Sequence, residues 1–351
     1  MLDFLRKDLT LIVAVAAVAL SLSYAIGYVS ESRPEAVEIE THFPAGRAPK
    51  AQPATERIWK EPTFERVFAV NSAALKKPMI MQVDQAGNPY VLDWSDFKVK
   101  QFSLDGKLVK TFGDETGSDP FTNPTAFSVD ASGNVWVVDP QQQRIKVFGS
   151  DGNIQTITMR NAVYRLVTSS DRLFTMSAAA SNNLFEIYDL TGHQLKAFGE
   201  LLADQSAKGV ILDGYIVNDE NQGFIYGGRY VGAIGAYDTD GNQRYLVQTI
   251  DGVPRTNILD IGGKQKIKPN SAVLVSSMSI VGNELYVLSG IRLDGQMGPG
   301  GQVLDVYDKR EGKYLYSLKL PVVCKTALVR SDYLYTLGKG EVAVWHFKQS
   351  G

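Results

Sequence analysis

The chain has 351 residues, with 44% hydrophobic and 10% aromatic content, 32 Gly and a formal net charge of −2. That composition supplies a sizeable core and a turn-rich architecture, and it lacks the basic excess by which a protein binds nucleic acid or another polyanion. Cys324 is the only cysteine, which excludes an intramolecular disulfide; an extracytoplasmic protein without one suits a bacterial envelope.

In chain order, residues 1–8 form a short cytoplasmic N-terminus holding Arg6 and Lys7. Residues 9–29, "LTLIVAVAAVALSLSYAIGYV", are apolar apart from scattered Thr, Ser and Tyr, and as a helix they would span about 31 Å, close to the thickness of a bilayer's hydrocarbon. Glu31, Glu35, Glu38 and Glu40 follow, so the positive-inside rule puts the N-terminus in the cytoplasm and the rest outside, on the periplasmic side of a bacterial cytoplasmic membrane. A cleaved signal peptide is the competing reading. Ala25-Ile26-Gly27 offers a small-x-small site, but the apolar run continues past it. Residues 30–57 contain Pro34, Pro44, Pro49 and Pro53 and read as an extended tether, reaching at most about 90 Å.

Residues 58–351 follow one repeated grammar. After the alternating strand "FERVFAV" (64–70), second strands recur as "PYVLD" (89–93), "VWVVD" (135–139), "RLFTM" (172–176), "GFIYG" (223–227), "ELYVL" (284–288) and "YLYTL" (333–337). Each is followed by a third strand ending on an aromatic, as in "KVKQF", "RIKVF" and "LFEIY", with Gly- and Asn-bearing turns between strands. Six copies of four short antiparallel strands predict an all-β, six-bladed propeller. The sixth copy stops after three strands, so residues 64–70 are expected to supply its missing outer strand. Cys324 falls where an inner strand should begin, as a buried and inert thiol.

Within the second copy, "PTAFSVDASGNVWVVD" (124–139) resembles the NHL repeat, the unit of many six-bladed propellers, and 84–93 is a second fair match with Gly87 and Asn88 in its turn. Ala126 stands where NHL repeats favour Gly, and copies three to six keep the strands but lose the Asp-x-x-Gly signature. The resemblance covers residues 64–348 in architecture and two copies in motif. It implies the fold; NHL and related propellers include scaffolds, ligand binders, lactonases and lyases, so it does not select an activity.

Chemistry is sparse. His42 lies in the tether, His193 in a turn and His346 in the last strand, and no G-x-S-x-G motif is present, which disfavours a histidine metal site or a nucleophilic triad. No cofactor is expected. A structural channel cation such as calcium would draw on Asp93, Asn123, Asp139 and Asn218, although Asp at the end of a strand commonly satisfies backbone N–H groups instead. "LDGQMGPGG" (293–301) lacks the lysine of a phosphate loop and reads as a flexible loop.

Loop length carries more information. Links from strand one to two and from three to four are short, whereas 113–123, 199–214, 251–270 and 290–302 fall among the other links, which share the opposite face. The elaborated face is therefore the expected partner surface, with Arg229, Tyr230, Arg255, Asn257, Lys264, Lys266, Lys268, Arg292 and Asp294 as its candidate contacts. The tether is expected to approach from the plain face. The expected function is a membrane-anchored, protein-binding scaffold or accessory subunit of a membrane complex. A cation-dependent hydrolase or lyase, or a small-ligand sensor with its pocket on the elaborated face, is the alternative.

Overall fold

The computed structural model describes residues 36–39, 43, 46–70, 73–113, 120–177, 183–201, 208–252, 256–261, 264–268, 271–293 and 300–348. The apolar segment 9–29 lies outside them; among the described residues no helix is long and apolar enough to cross a membrane.

Six antiparallel blades stand in chain order around an axis. Blade one is Pro78–Val83, Pro89–Asp93, Lys98–Phe102 and Leu108–Phe112, and blade two is Ala126–Val129, Val135–Asp139, Arg144–Phe148 and Ile154–Thr158. Blade three is Val163–Thr168, Arg172–Ser177, Phe185–Asp189 and Gln194–Phe198, and blade four is Gly214–Asn218, Phe224–Gly228, Ala233–Tyr237 and Gln243–Gln248. Blade five is Ser277–Val281, Glu284–Ser289, Gly301–Asp308 and Tyr314–Cys324. Blade six is Thr326–Arg330, Tyr333–Gly338 and Glu341–Lys348, completed by Thr63–Val70 from the N-terminal side. The first strands touch one another in blade order and close the ring.

Burial explains the strand grammar. Second strands are wedged between neighbouring blades, so "PYVLD" and "VWVVD" are buried along their whole length, as unbroken apolar runs require. Fourth strands lie at the rim, and Gln194–Phe198 alternates between exposed and half-buried positions. An aromatic side chain recurs in every second strand: Tyr90, Trp136, Phe174, Tyr226, Tyr286 and Tyr335. All are buried between sheets. The Asp opening a turn is locked by its own backbone: Asp130 Oδ1 accepts from Ser132 N and Asn134 N at 2.9 Å, and Asp238 Oδ1 accepts from Asp240 N and Asn242 N. Gly223 is required where it stands, since its φ is +106° and a Cβ there would meet Tyr237 O at 2.1 Å.

Closure follows the expected route. Thr63–Val70 pairs antiparallel with Glu341–Lys348, from Thr63↔Lys348 to Val70↔Val342. Across the junction of blades six and one, the buried Tyr335 hydroxyl donates to Gly87 O at 2.8 Å.

Three features differ from the sequence reading. First, residues 46–60 are extended but they are not a free tether: they strap the rim of blades four and five. Lys50 forms a parallel bridge with Val247, the Gln52 amide spans Gln248 O and Gly312 O, and Trp59–Lys60 joins blade five as a fifth, parallel strand. Second, the 251–270 insertion is not a plain loop: Thr256–Ile261 and Lys264–Ile267 form a hairpin, and Ala36–Ile39 adds to it as a third strand. The N-terminal segment therefore meets the elaborated face, where the plain face was expected. Third, Cys324 ends the outer strand of blade five, and the inner strand of blade six starts at Thr326. The thiol is buried as expected.

Candidate functional site

The two faces of the ring are chemically unlike. First strands run from the elaborated face to the plain face and second strands run back. The ends of the first strands and the turns after them surround a cavity of about 590 Å³ that opens on the plain face. Its walls mix polar and apolar groups from every blade: Gln82, Ser128 and Thr168 from blades one to three, and Ile216, Met278 and Leu328 beside Asn218, Glu220 and Arg330 from blades four to six. Ser128 and Thr168 hydroxyls meet at 3.2 Å across the junction of blades two and three, and Asn218 Nδ2 donates to Thr168 O at 2.8 Å across the next. No histidine lines the cavity among the described residues.

The cation candidates are not brought together. Asp93 ends the second strand of blade one, near the elaborated face, and is fully buried. It accepts from Lys76 N, Lys77 N, Ser95 N and Lys100 Nζ at 2.8 to 3.1 Å. Burial pushes its carboxyl up, but the bonds from Ser95, Lys76 and Lys77 outweigh that and hold it well below the usual carboxylate range. Asp139 repeats the arrangement in blade two, accepting from Thr122 N at 2.8 Å and Asn123 N at 3.2 Å. Asn218 sits at the end of a first strand, on the other face. Both carboxylates pin the incoming interblade link to its blade. No three His, Cys, Asp or Glu side chains among the described residues are grouped to hold a metal ion. His346 lies outside any such group, 2.8 Å from Asp332, and His42 is outside the described residues.

On the elaborated face, Arg229 and Tyr230 occupy the link between the second and third strands of blade four. Arg229 lies 3.5 Å from Asp213, which Arg165 also approaches at 3.3 Å, and its guanidinium stacks over Tyr230 at 5.5 Å. Burial pushes the Tyr230 hydroxyl up, partly offset by Arg229. Asn257, Lys264 and Lys266 fall in the hairpin and Lys268 just beyond it; Lys266 and Lys268 are exposed. Arg292 is half-buried in the link of blade five, while Arg255 and Asp294 lie outside the described residues. The candidates therefore occupy two regions of that face, blades three to four and blade five.

Sequence reading missed Arg57, the residue that fastens the strap. Its guanidinium makes two bonds to Asp251, at 2.7 and 2.8 Å, and two to Asp305, both at 3.0 Å. Burial lowers its basicity, but Asp305 and Asp251 more than offset this and raise it above the usual arginine value. Asp305 is itself buried and bonded to Ser317. A lone Arg in a Pro-rich stretch carries no local signal of partners so far away in sequence. On the plain side Asp219, fully buried, accepts from Arg244 at 2.5 Å and lies 2.8 Å from the Lys309 ammonium as an ion pair, joining blade four to blade five.

No protein-family profile and no curated protein sequence matches the chain. Among solved structures, the virginiamycin B lyase of Staphylococcus aureus is similar over 81% of this chain and 99% of its own, at 11% identity and a TM-score of 0.51. A catalytically inactive form of that lyase with quinupristin gives 9% identity and a TM-score of 0.52 over the same shares of the two chains. BamB of Moraxella catarrhalis aligns over 81% of this chain and 100% of its own, at 11% identity and a TM-score of 0.46. The two lyase structures bear out the propeller fold and carry nothing about activity.

Proposed function

We propose that this protein is a single-pass, membrane-anchored propeller built on NHL-like repeats. It acts outside the bacterial cytoplasmic membrane as a protein-binding scaffold or accessory subunit of a larger membrane complex. One observation carries the reading: the chain inserted between blades is gathered on one face, and the N-terminal segment is woven into that same face as the strand Ala36–Ile39. A rigid ring with one elaborated face suits binding by loops held on a scaffold. The apolar run 9–29 and its charge flanks support the anchor and its orientation. The test is extraction in mild detergent, size separation and identification of whatever co-migrates. Migration in a large assembly is the expected result; migration alone, at the monomer mass plus detergent, overturns the scaffold reading.

A second reading, a small-ligand carrier, is favoured by the cavity of about 590 Å³, which falls in the size class of small-molecule sites. It differs from the expected pocket in lying on the plain face. Native mass spectrometry of gently purified protein tests it, since a bound ligand adds a discrete mass. A cation-dependent hydrolase or lyase gains no support from carboxylates that staple backbone at separate blades.

A further inference from the structure

We infer that the inserted hairpin 256–267, with Lys268 just after it, is a second membrane contact, docking on an anionic lipid surface. This rests on the anchor reading above. Ala36–Ile39 pairs with Thr256–Ile261, from Ala36↔Leu259 to Ile39↔Thr256, so the N-terminal chain is fixed to the hairpin at residue 36. Only residues 30–35 separate that point from the apolar run ending at Val29, a reach of at most about 25 Å. A membrane holding 9–29 therefore lies within that distance of the hairpin, and the plain-face cavity faces away from it.

The hairpin's two faces differ. Ile258 and Ile267 are a cross-strand pair that shares one face. Ile258 is buried in the core between blades three and four, and Ile267 packs against the same core. Alternation places Lys266 on the opposite face, and Lys266 and Lys268 are both exposed and form no ion pair with a described residue. Lys266 pairs across the strands with Leu259, so a basic group flanks an apolar one. By sequence, the three strands of this sheet and Lys268 carry Lys264, Lys266 and Lys268 against two carboxylates, Asp260 and Glu38. The nearby Asp251 is committed to Arg57 and Ser289. Such a basic cluster beside a membrane anchor is attracted to anionic headgroups. It also offsets the repulsion those headgroups exert on Glu31 and Glu35 in the connecting chain.

The test uses full-length protein in vesicles of phosphatidylcholine, with or without phosphatidylglycerol, carrying a headgroup-linked quencher. A fluorophore is attached at Ala272→Cys, an exposed site beside the hairpin, or at Ala131→Cys on the plain face. The native Cys324 is buried, with its thiol pushed up to about 12, and does not compete for label. The expected result is quenching at residue 272 and none at 131, stronger in anionic vesicles and reduced by 0.5 M salt. The ratio of quenched to unquenched protein should fall about fivefold for each lysine neutralised in Lys266→Gln and Lys268→Gln, with unchanged thermal unfolding. Quenching at 272 that ignores lipid charge overturns the inference, because the lysines then serve only the neighbouring glutamates or a protein. Absence of quenching from protein that floats with the vesicles overturns it as well, and leaves the anchor standing. Protein that does not float removes the anchor, and this inference with it.

Discussion

Asp93 condenses the problem of holding an irregular link to a regular blade. Three backbone N–H groups and one ammonium converge on a carboxylate that solvent does not reach. Asp93→Asn keeps the shape but replaces an acceptor oxygen with a donor, beside a Lys100 ammonium left with Asp96 and Ala74 O. The expected loss is about 3 kcal/mol, read as a lower urea midpoint at unchanged m-value. Its pH dependence has a definite sign. The folded carboxyl sits below its unfolded value, so between the two values the unfolded chain binds more protons and stability rises with pH. The contribution is complete above the unfolded value, near 4, and is lost as pH falls through the depressed folded value. Asp93→Asn should flatten that acid limb; an unchanged limb would show that other carboxylates govern it.

At the scale of elements, the strap 46–60 behaves as a belt buckled by Arg57. Removing the guanidinium leaves Asp251 and Asp305 facing each other with burial uncompensated. Arg57→Ala is expected to cost about 3–5 kcal/mol. Hydrogen exchange should quicken in 47–60 and in the 256–267 hairpin, which Asp251 precedes, and stay unchanged in blades one and two. Arg57→Lys should recover little, since one ammonium cannot reproduce four bonds to two carboxylates. Uniform exchange across the ring in Arg57→Ala would mean that the strap is not a separate unit.

The whole ring depends on strand Thr63–Val70, because without it Glu341–Lys348 becomes an open edge. A chain beginning at residue 61 should fold and remain monomeric by size exclusion. One beginning at residue 71 should self-associate, and adding a peptide of residues 61–72 should restore the monomer. Equal behaviour of the two chains would show that closure does not need this strand.

Much of this was legible in the sequence, for a local reason. Strand period, turn glycines and the buried second strands depend on neighbours a few residues away, so the six blades, their faces and the closing strand can be read from the chain. Asp93 and Asp139 were legible as backbone staples on the same ground, since an Asp at a strand end needs donors and the adjoining link supplies them. Only the tertiary structure decided the rest. Arg57 finds Asp305 248 residues away, and Ala36–Ile39 becomes a strand only because Thr256–Ile261 offers it an unpaired edge. The hairpin read as a loop because its strands are short and interrupted by charges, and its burial is provided by blades three and four, which no local period encodes. The face on which the N-terminal chain arrives was settled by those same long-range pairings, which is why its local composition could not specify it.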